Sequence, residues 1–336
     1  MITRREFLRD AALTGAAGAL GAVSDVLAAE PPPETKRIRL GKPPSACVAP
    51  QYVAEELLRA EGFQQIEYVG IGQGAAGLAG AQAMGAGEFD LSMNFAAPLV
   101  VALDEGAPIV ILAGVHTGCF ELFCSEKVRT ISDLKGKTAA ILATRSSQHI
   151  FLASIATSIG LDPNRDIQWA TYPTNEAKQL LADGKIDAFL GFPPDPQELR
   201  AKKIGRVLLN SAIDRPWSQY FCCLIAANHE FVRKHPIATK RAVRAILKGS
   251  EICATNPGQG AKAYLAQGFS MNPEYARQAL RELPYGKWRD YNPEETVRFY
   301  ALRLREAGMV KMAPQKLIAQ GTDWRFLNEL KKELKA

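Results

Sequence analysis

From Lys36 onward the sequence alternates short β-favouring runs with amphipathic stretches, separated by turns rich in glycine, proline, asparagine and serine. That alternation restricts the chain to a layered α/β architecture built on mainly parallel sheets. Ile38-Arg39-Leu40 reads as a strand running into Gly41-Lys42-Pro43-Pro44-Ser45, and Gln51 to Ala60 then places Val53, Leu57 and Leu58 on one helical face. Gln65 to Ile71 is a second strand, followed by Gly72-Gln73-Gly74-Ala75-Ala76-Gly77 and a helix to about Met84. The strand Leu91-Ser92-Met93 opens into a loop Asn94-Phe95-Ala96-Ala97. A helix from Pro98 to Glu105 and a strand Ile109 to Ala113 then lead to a loop Val115-His116-Thr117-Gly118. In open α/β sheets ligands bind beyond the carboxyl ends of the strands. Ser45, Gln73, Gly74, Asn94, Phe95, His116 and Thr117 are therefore candidate ligand contacts.

The first thirty residues stand outside this pattern. Thr3-Arg4-Arg5-Glu6-Phe7-Leu8-Arg9 places paired arginines before a mild apolar run, the form of a twin-arginine export signal. Ala11 to Ala22 is mostly alanine and glycine and is soon broken by Ser24-Asp25, so it is too weakly hydrophobic to span a bilayer. Small residues at Val26-Leu27-Ala28-Ala29 suit signal peptidase, and no cysteine stands there to take a lipid. Residues 1–29 are thus expected to be a cleaved leader, leaving a soluble, exported protein without a lipid anchor.

About 307 residues follow, enough for two domains by the usual scale of ~100–200 residues each. Hydrophobic residues at 47% and charged residues at 23% exclude a disordered or fibrous chain. The formal charge of +6 is unchanged by removing the leader, whose three arginines balance Glu6, Asp10 and Asp25, and it favours anionic partners weakly. The basic residues are dispersed, without a stripe, a zinc finger or a stacking platform, so nucleic acid is not an expected partner.

Gly72-x-Gly74-x-x-Gly77 matches the dinucleotide fingerprint by letter. The fingerprint also needs an acid at the far end of the next strand, whereas Glu88 and Asp90 stand at its near end, misplaced by roughly 10–15 Å at ~3.3 Å per residue. A tight loop donating backbone N–H groups to a small ligand fits better. Enzyme chemistry is thin. His116, His149, His229 and His235 are the only histidines, and no metal-ligand spacing emerges. Cys119 and Cys124, five apart on a strand, point to opposite faces, as do the adjacent Cys222 and Cys223. No metal and no cofactor are expected. Across neighbouring strands, Cys119 or Cys124 is expected to face Cys222 or Cys223 in an oxidising compartment.

The segment Ile131-Ser132-Asp133-Leu134-Lys135-Gly136-Lys137-Thr138-Ala139-Ala140-Ile141 is more specific. Further motifs follow in order: Arg145-Ser146-Ser147-Gln148-His149, Ile159-Gly160-Leu161-Asp162-Pro163, Leu180 to Ala188, and Ala227-Asn228-His229-Glu230-Phe231-Val232-Arg233-Lys234-His235-Pro236. This series, running from about Ile38 to Leu265, resembles the type II periplasmic substrate-binding proteins of ABC importers, in the branch for nitrate, sulfonate, taurine and thiamine-precursor uptake. Where that family carries a Trp-x-Pro-aromatic element, this chain has Gly191-Phe192-Pro193-Pro194-Asp195-Pro196, a departure within the expected pocket.

The resemblance implies a two-lobed α/β fold, each lobe a mainly parallel sheet flanked by helices, with the chain crossing twice. Phe120–Cys124 and Tyr220–Ile225 are the crossover candidates, giving lobe one as 36–121 plus 224–336 and lobe two as 122–223. It implies a non-enzymatic, monomeric periplasmic receptor that closes on a small organic anion and delivers it to the membrane subunits of an ABC importer. The alternative is an exported enzyme on the same fold, holding a cofactor or metal and related to thiamine-pyrimidine synthases, with which Phe221-Cys222-Cys223 invites comparison. In lobe two, the strand Thr138–Leu142 leads through Thr144-Arg145-Ser146-Ser147 into the helix Gln148–Ile159, whose N-terminal N–H groups suit a carboxylate or sulfonate. Arg145, Ser146 and Ser147 are candidate anion contacts. Phe192 and Trp217 are candidates for an apolar wall, with Tyr220 beside them.

Overall fold

The computed structural model describes residues 30–71, 77–269 and 272–334. The expected leader, together with Gln73 and Gly74, lies outside the described residues. From Pro33 onward the chain is one unit. Its strands in chain order are β1 (Arg37–Lys42), β2 (Gln65–Gly70), β3 (Leu91–Phe95), β4 (Ile109–Thr117), β5 (Glu121–Cys124), β6 (Lys137–Ile141), β7 (Ile167–Thr171), β8 (Ala188–Gly191), β9 (Arg206–Asn210) and β10 (Phe221–Asn228).

They form two five-stranded sheets, ordered β2-β1-β3-β10-β4 and β7-β6-β8-β5-β9. In each sheet a single strand opposes the rest: β10 is antiparallel to β3 and β4, and β5 is antiparallel to β8 and β9. These two are the strands by which the chain arrives from the other sheet. Each starts at the boundary between the sheets and runs outward, whereas the helix-connected strands run toward it and end there. The carboxyl ends of β1, β3, β4, β6 and β8 consequently meet at the boundary, where ligand-contacting loops are expected. β3, β4 and β10 are buried along their whole length, as strands covered on both faces are, which explains their nearly continuous apolar composition.

Two sequence boundaries shift. β4 extends through Thr117, so His116 and Thr117 belong to the strand and not to a loop, because their main chain pairs with β10. Asn94 and Phe95 likewise end β3, and the next helix, Ala96–Asp104, begins at once. The crossing segments lie side by side: the Ser211 hydroxyl accepts hydrogen bonds from the N–H groups of Cys119 (3.0 Å) and Phe120 (2.9 Å). Gly118, at φ +43°, makes that approach possible, since a Cβ there would stand 2.2 Å from Ala212 Cα. The helix Pro293–Glu306 spans the boundary: Phe299 stacks on Tyr220 at 3.9 Å and Tyr300 meets Phe151 of the second lobe. Among the described residues no helix is long and apolar enough to cross a membrane.

Candidate functional site

The helix Ser147–Ser158 follows β6, and its N-terminus points back across the boundary. Ser146 caps it, accepting from His149 N–H at 3.4 Å, and both Ser146 and Ser147 are buried. The backbone facing them comes from the first lobe. Gly77 forms a bridge with Ser146, and a Cβ at Gly77 would lie 2.7 Å from Ser147 Oγ, so only glycine, here at φ +129°, fits. Asn94, at the end of β3, donates to Gly77 O at 3.4 Å and accepts from Phe95 N–H at 2.8 Å. Asn94, Ser146 and Ser147 thus converge on one glycine, next to the undescribed segment holding Gln73 and Gly74.

Beside them the boundary is lined by rings. Phe95 lies 4.8 Å from Phe120 and 5.4 Å from Phe192, and Phe120 lies 4.8 Å from Phe151. Trp217 is buried and packs on Phe151 and on Phe299 of the helix Pro293–Glu306. Ser45 is fully buried; its hydroxyl meets Cys47 Sγ at 2.9 Å and Pro193 O at 3.4 Å. The Ala46 N–H donates to Pro193 O across the boundary at 3.1 Å.

Arg145 sits at φ +67° with its N–H donating to His149 Nδ1 at 2.9 Å. Its guanidinium reaches the first lobe and pairs with the Glu105 carboxylate at the rim. An anion meeting Arg145 therefore meets an arginine that already has a partner. His149 is pushed down to about 4 by burial and by the Arg145 charge, which keeps Nδ1 free of a proton and able to accept.

An open cleft of about 510 Å³ lies between the lobes, walled by Pro44, Phe269 and Tyr275 on one side and by Leu142, Asn175 and Phe192 on the other. Its charges come from Lys178, Lys202, Asp195 and Glu198. The Lys178 ammonium contacts Asp195 at 3.0 Å and also Glu198, and Lys202 binds Glu198 at 2.5 Å. Two cations meet two carboxylates, so the cleft is charge-balanced. Burial raises Asp195 against the pull of Lys178, whereas in Glu198 burial is outweighed by the two lysines and its carboxyl is lowered. Sequence reasoning missed this group; the only available signal was the departure at Gly191–Pro196, which carries Asp195.

A second group sits behind Ser45. Cys47, His116 and Cys223 bring their ligand-type atoms within 4.8 Å of one another, all fully buried. Register explains it: Cys223 pairs with His116 across β10 and β4, and shifts in that register at Phe221–Leu224 interrupt regular alternation. Cys222 meets Cys119 with sulfurs 2.7 Å apart, the cross-pair expected from sequence, whereas Cys124 lies away on β5. All six cysteines are thiols and all are buried. Sequence could not supply the trio because Cys47 is separated from Cys223 by most of the chain.

The model of the NMT1-like family matches residues 31–268, more than half of the chain. The chain belongs to the NMT1-like family. Over 125 residues it is 26% identical to the bicarbonate-binding protein CmpA of Synechococcus elongatus, a stretch covering 37% of this chain and 27% of that protein. The chain therefore matches about a quarter of the length of its curated relatives. Among solved structures, the alkanesulfonate-binding protein SsuA of Xanthomonas axonopodis pv. citri, bound to MOPS, superposes with TM-score 0.66 and 20% identity, covering 88% of this chain and all of that one. The periplasmic nitrate-binding protein NrtA of Synechocystis PCC 6803 superposes with TM-score 0.74 and 14% identity, covering 91% and 90%. These likenesses show the two-lobed periplasmic-binding-protein fold expected from the sequence.

Proposed function

We propose that this protein is an exported solute-binding receptor of an ABC importer, capturing a small anion between its lobes. The observation that carries the reading is the convergence at the lobe boundary. Asn94, Gly77 and the N-terminus of the helix Ser147–Ser158 come from different lobes and meet at strand carboxyl ends, where a ligand can bridge them. Family membership and relatives that bind bicarbonate, sulfonates and nitrate support the same class of ligand. Binding between lobes needs no covalent chemistry, so the protein is read as a receptor and not an enzyme.

Site residues in this reading are Asn94, Ser146 and Ser147 at the boundary, with Ser45, Gln73, Gly74 and Arg145 around them and Phe95 and Phe192 as the apolar wall. His116, Thr117 and Trp217 lie behind these as support. Lobe one is 36–121 with 224–336 and lobe two 122–223. Residues 1–29 form the twin-arginine leader, the mature protein is a periplasmic monomer, and its protein partner is the membrane part of the importer. An anion that reaches Lys178 displaces the Asp195 carboxylate, and Asp195, raised by burial, yields by taking a proton. Affinity for such an anion then rises as pH falls.

The test is a thermal-shift screen of the purified mature protein over sulfonates, carboxylates, nitrate, bicarbonate, pyrimidines and flavins, followed by calorimetric titration. A true ligand at about 100 times its Kd stabilises the protein by about 2.7 kcal/mol. Stabilisation by none of the anions, with a neutral compound binding instead, would refute the anion reading.

A further inference from the structure

We propose that Cys47, His116 and Cys223 form a site for one thiophilic cation of the zinc class. The proposal does not depend on the receptor reading. Two sulfurs each ~2.3 Å from a tetrahedral zinc stand about 3.8 Å apart. Cys47 Sγ and Cys223 Sγ are 3.6 Å apart, the spacing that such an ion sets between two of its ligands. His116 supplies the independent sign that something belongs there. Its Nδ1 lies 3.1 Å from Thr117 O, so Nδ1–H donates to that carbonyl and Nε2 carries the free lone pair. Nε2 is buried and has no hydrogen-bond partner, and the His116 ring brings a nitrogen within 4.8 Å of both sulfurs. A backbone carbonyl fixing the tautomer so that the other nitrogen faces the ligand set is the usual second-shell arrangement of a metal-bound histidine.

Charge selects the ion. Two thiolates, one neutral imidazole and one divalent cation sum to zero, which a fully buried setting demands. Thiolate and imidazole together favour zinc over the oxygen-seeking calcium or magnesium. All three ligand residues are fully buried, so the ion is structural. It ties the turn after β1, the end of β4 and the start of β10 together, beside the root from which the lobe connections emerge.

The experiment measures metal by inductively coupled plasma mass spectrometry in the full-length protein purified from zinc-supplemented cells, alongside His116→Gln, Cys223→Ser and Cys253→Ser. Cys253 is equally buried but lies outside the cluster. Wild type and Cys253→Ser should carry close to one zinc per chain. The two ligand variants should hold less than about a tenth of that, because even second-shell changes cost ~10–100-fold in affinity. In case the ligand variants fail to fold, wild-type protein refolded with one equivalent of Co²⁺ decides alone: sulfur-to-cobalt charge-transfer and tetrahedral ligand-field bands support the site. Folded wild-type protein without metal and without those bands overturns it. So does a disulfide between Cys47 and Cys223 found by peptide mapping, or copper in place of zinc.

Discussion

Replacing Lys178 with methionine tests the charge arrangement that walls the interlobe cleft. The Lys178 side chain is only 9% exposed and Asp195 15%, so the pair is largely removed from water. Methionine matches the length of the aliphatic stem and deletes only the charge. Glu198 keeps Lys202 as a partner at 2.5 Å, but Asp195 has no other cation among the contacts described for it, and its carboxylate is left uncompensated. Breaking a buried pair from one side costs roughly 3–5 kcal/mol. The lower end, about 3 kcal/mol, applies here because Asp195 can escape by protonation. Its folded-state pKa is already raised by burial, and losing Lys178 raises it further. A carboxyl whose pKa is higher folded than unfolded contributes stability below its unfolded value and loses that contribution as pH rises through its folded value. The deficit of Lys178→Met should therefore be largest near neutral pH and shrink toward about pH 4, near the reference value of an aspartyl group. Urea melts of both proteins across that range measure it, and Lys178→Met with Asp195→Asn should recover most of the loss. A variant as stable as wild type at neutral pH, or one whose deficit grows on acidification, would refute the reasoning.

Gln51 joins two strands through its side chain, donating to Gly41 O at 2.7 Å and accepting from Met93 N–H at 2.9 Å in full burial; Gln51→Leu strands both groups. At about 1–3 kcal/mol for each, the expected loss is about 2–6 kcal/mol by chemical melt, and a loss under about 1 kcal/mol contradicts the bridge. Glu121 is pushed up to about 7 by burial, with Arg200 opposing and Glu282 reinforcing the shift. Ionising it thus costs the folded state, and wild type should lose stability relative to Glu121→Gln as pH rises from about 4.5 to 7, by up to about 3 kcal/mol. Parallel pH profiles of the two proteins would disprove this. Replacing Arg4 and Arg5 with lysine should hold the precursor in the cytoplasm, read by cell fractionation, and an undiminished periplasmic yield would remove the twin-arginine assignment.

The fold was legible because its logic is local. Each strand–turn–helix unit announces itself through a change of apolar period from two to 3.6, and Phe120–Cys124 and Tyr220–Ile225 read as extended apolar runs with no α-helix between either and the strand before it. The errors fell where pairing partners are remote. Nothing local tells that His116 and Thr117 continue a strand; the register with β10, a hundred residues later, decides it. Nothing local tells that Gly77 seats against Ser147, so the helix N-terminus was readable as an anion site while the backbone that shares it was not.

The same distinction separates the two groups of polar residues at the lobe boundary. Asn94, Ser146 and Ser147 can be named from sequence because strand ends and helix starts are written in short sequence, and topology then carries all of them to one place. Lys178 and Asp195 were missed because their meeting depends on how the helices Thr174–Ala182 and Asp195–Ala201 pack, and Cys47, His116 and Cys223 because three separate elements supply them. Side chains that meet only through tertiary packing carry no common spacing, so no periodicity can expose them. Yet these groups are fixed by full burial in the cluster and by ion pairing in the cleft. If the protein closes on a ligand as proposed, Gly77, Asn94 and the serine-capped helix make the contact that breaks and re-forms, with the cysteine cluster and the lysine–carboxylate group as buried and ion-paired references beside it.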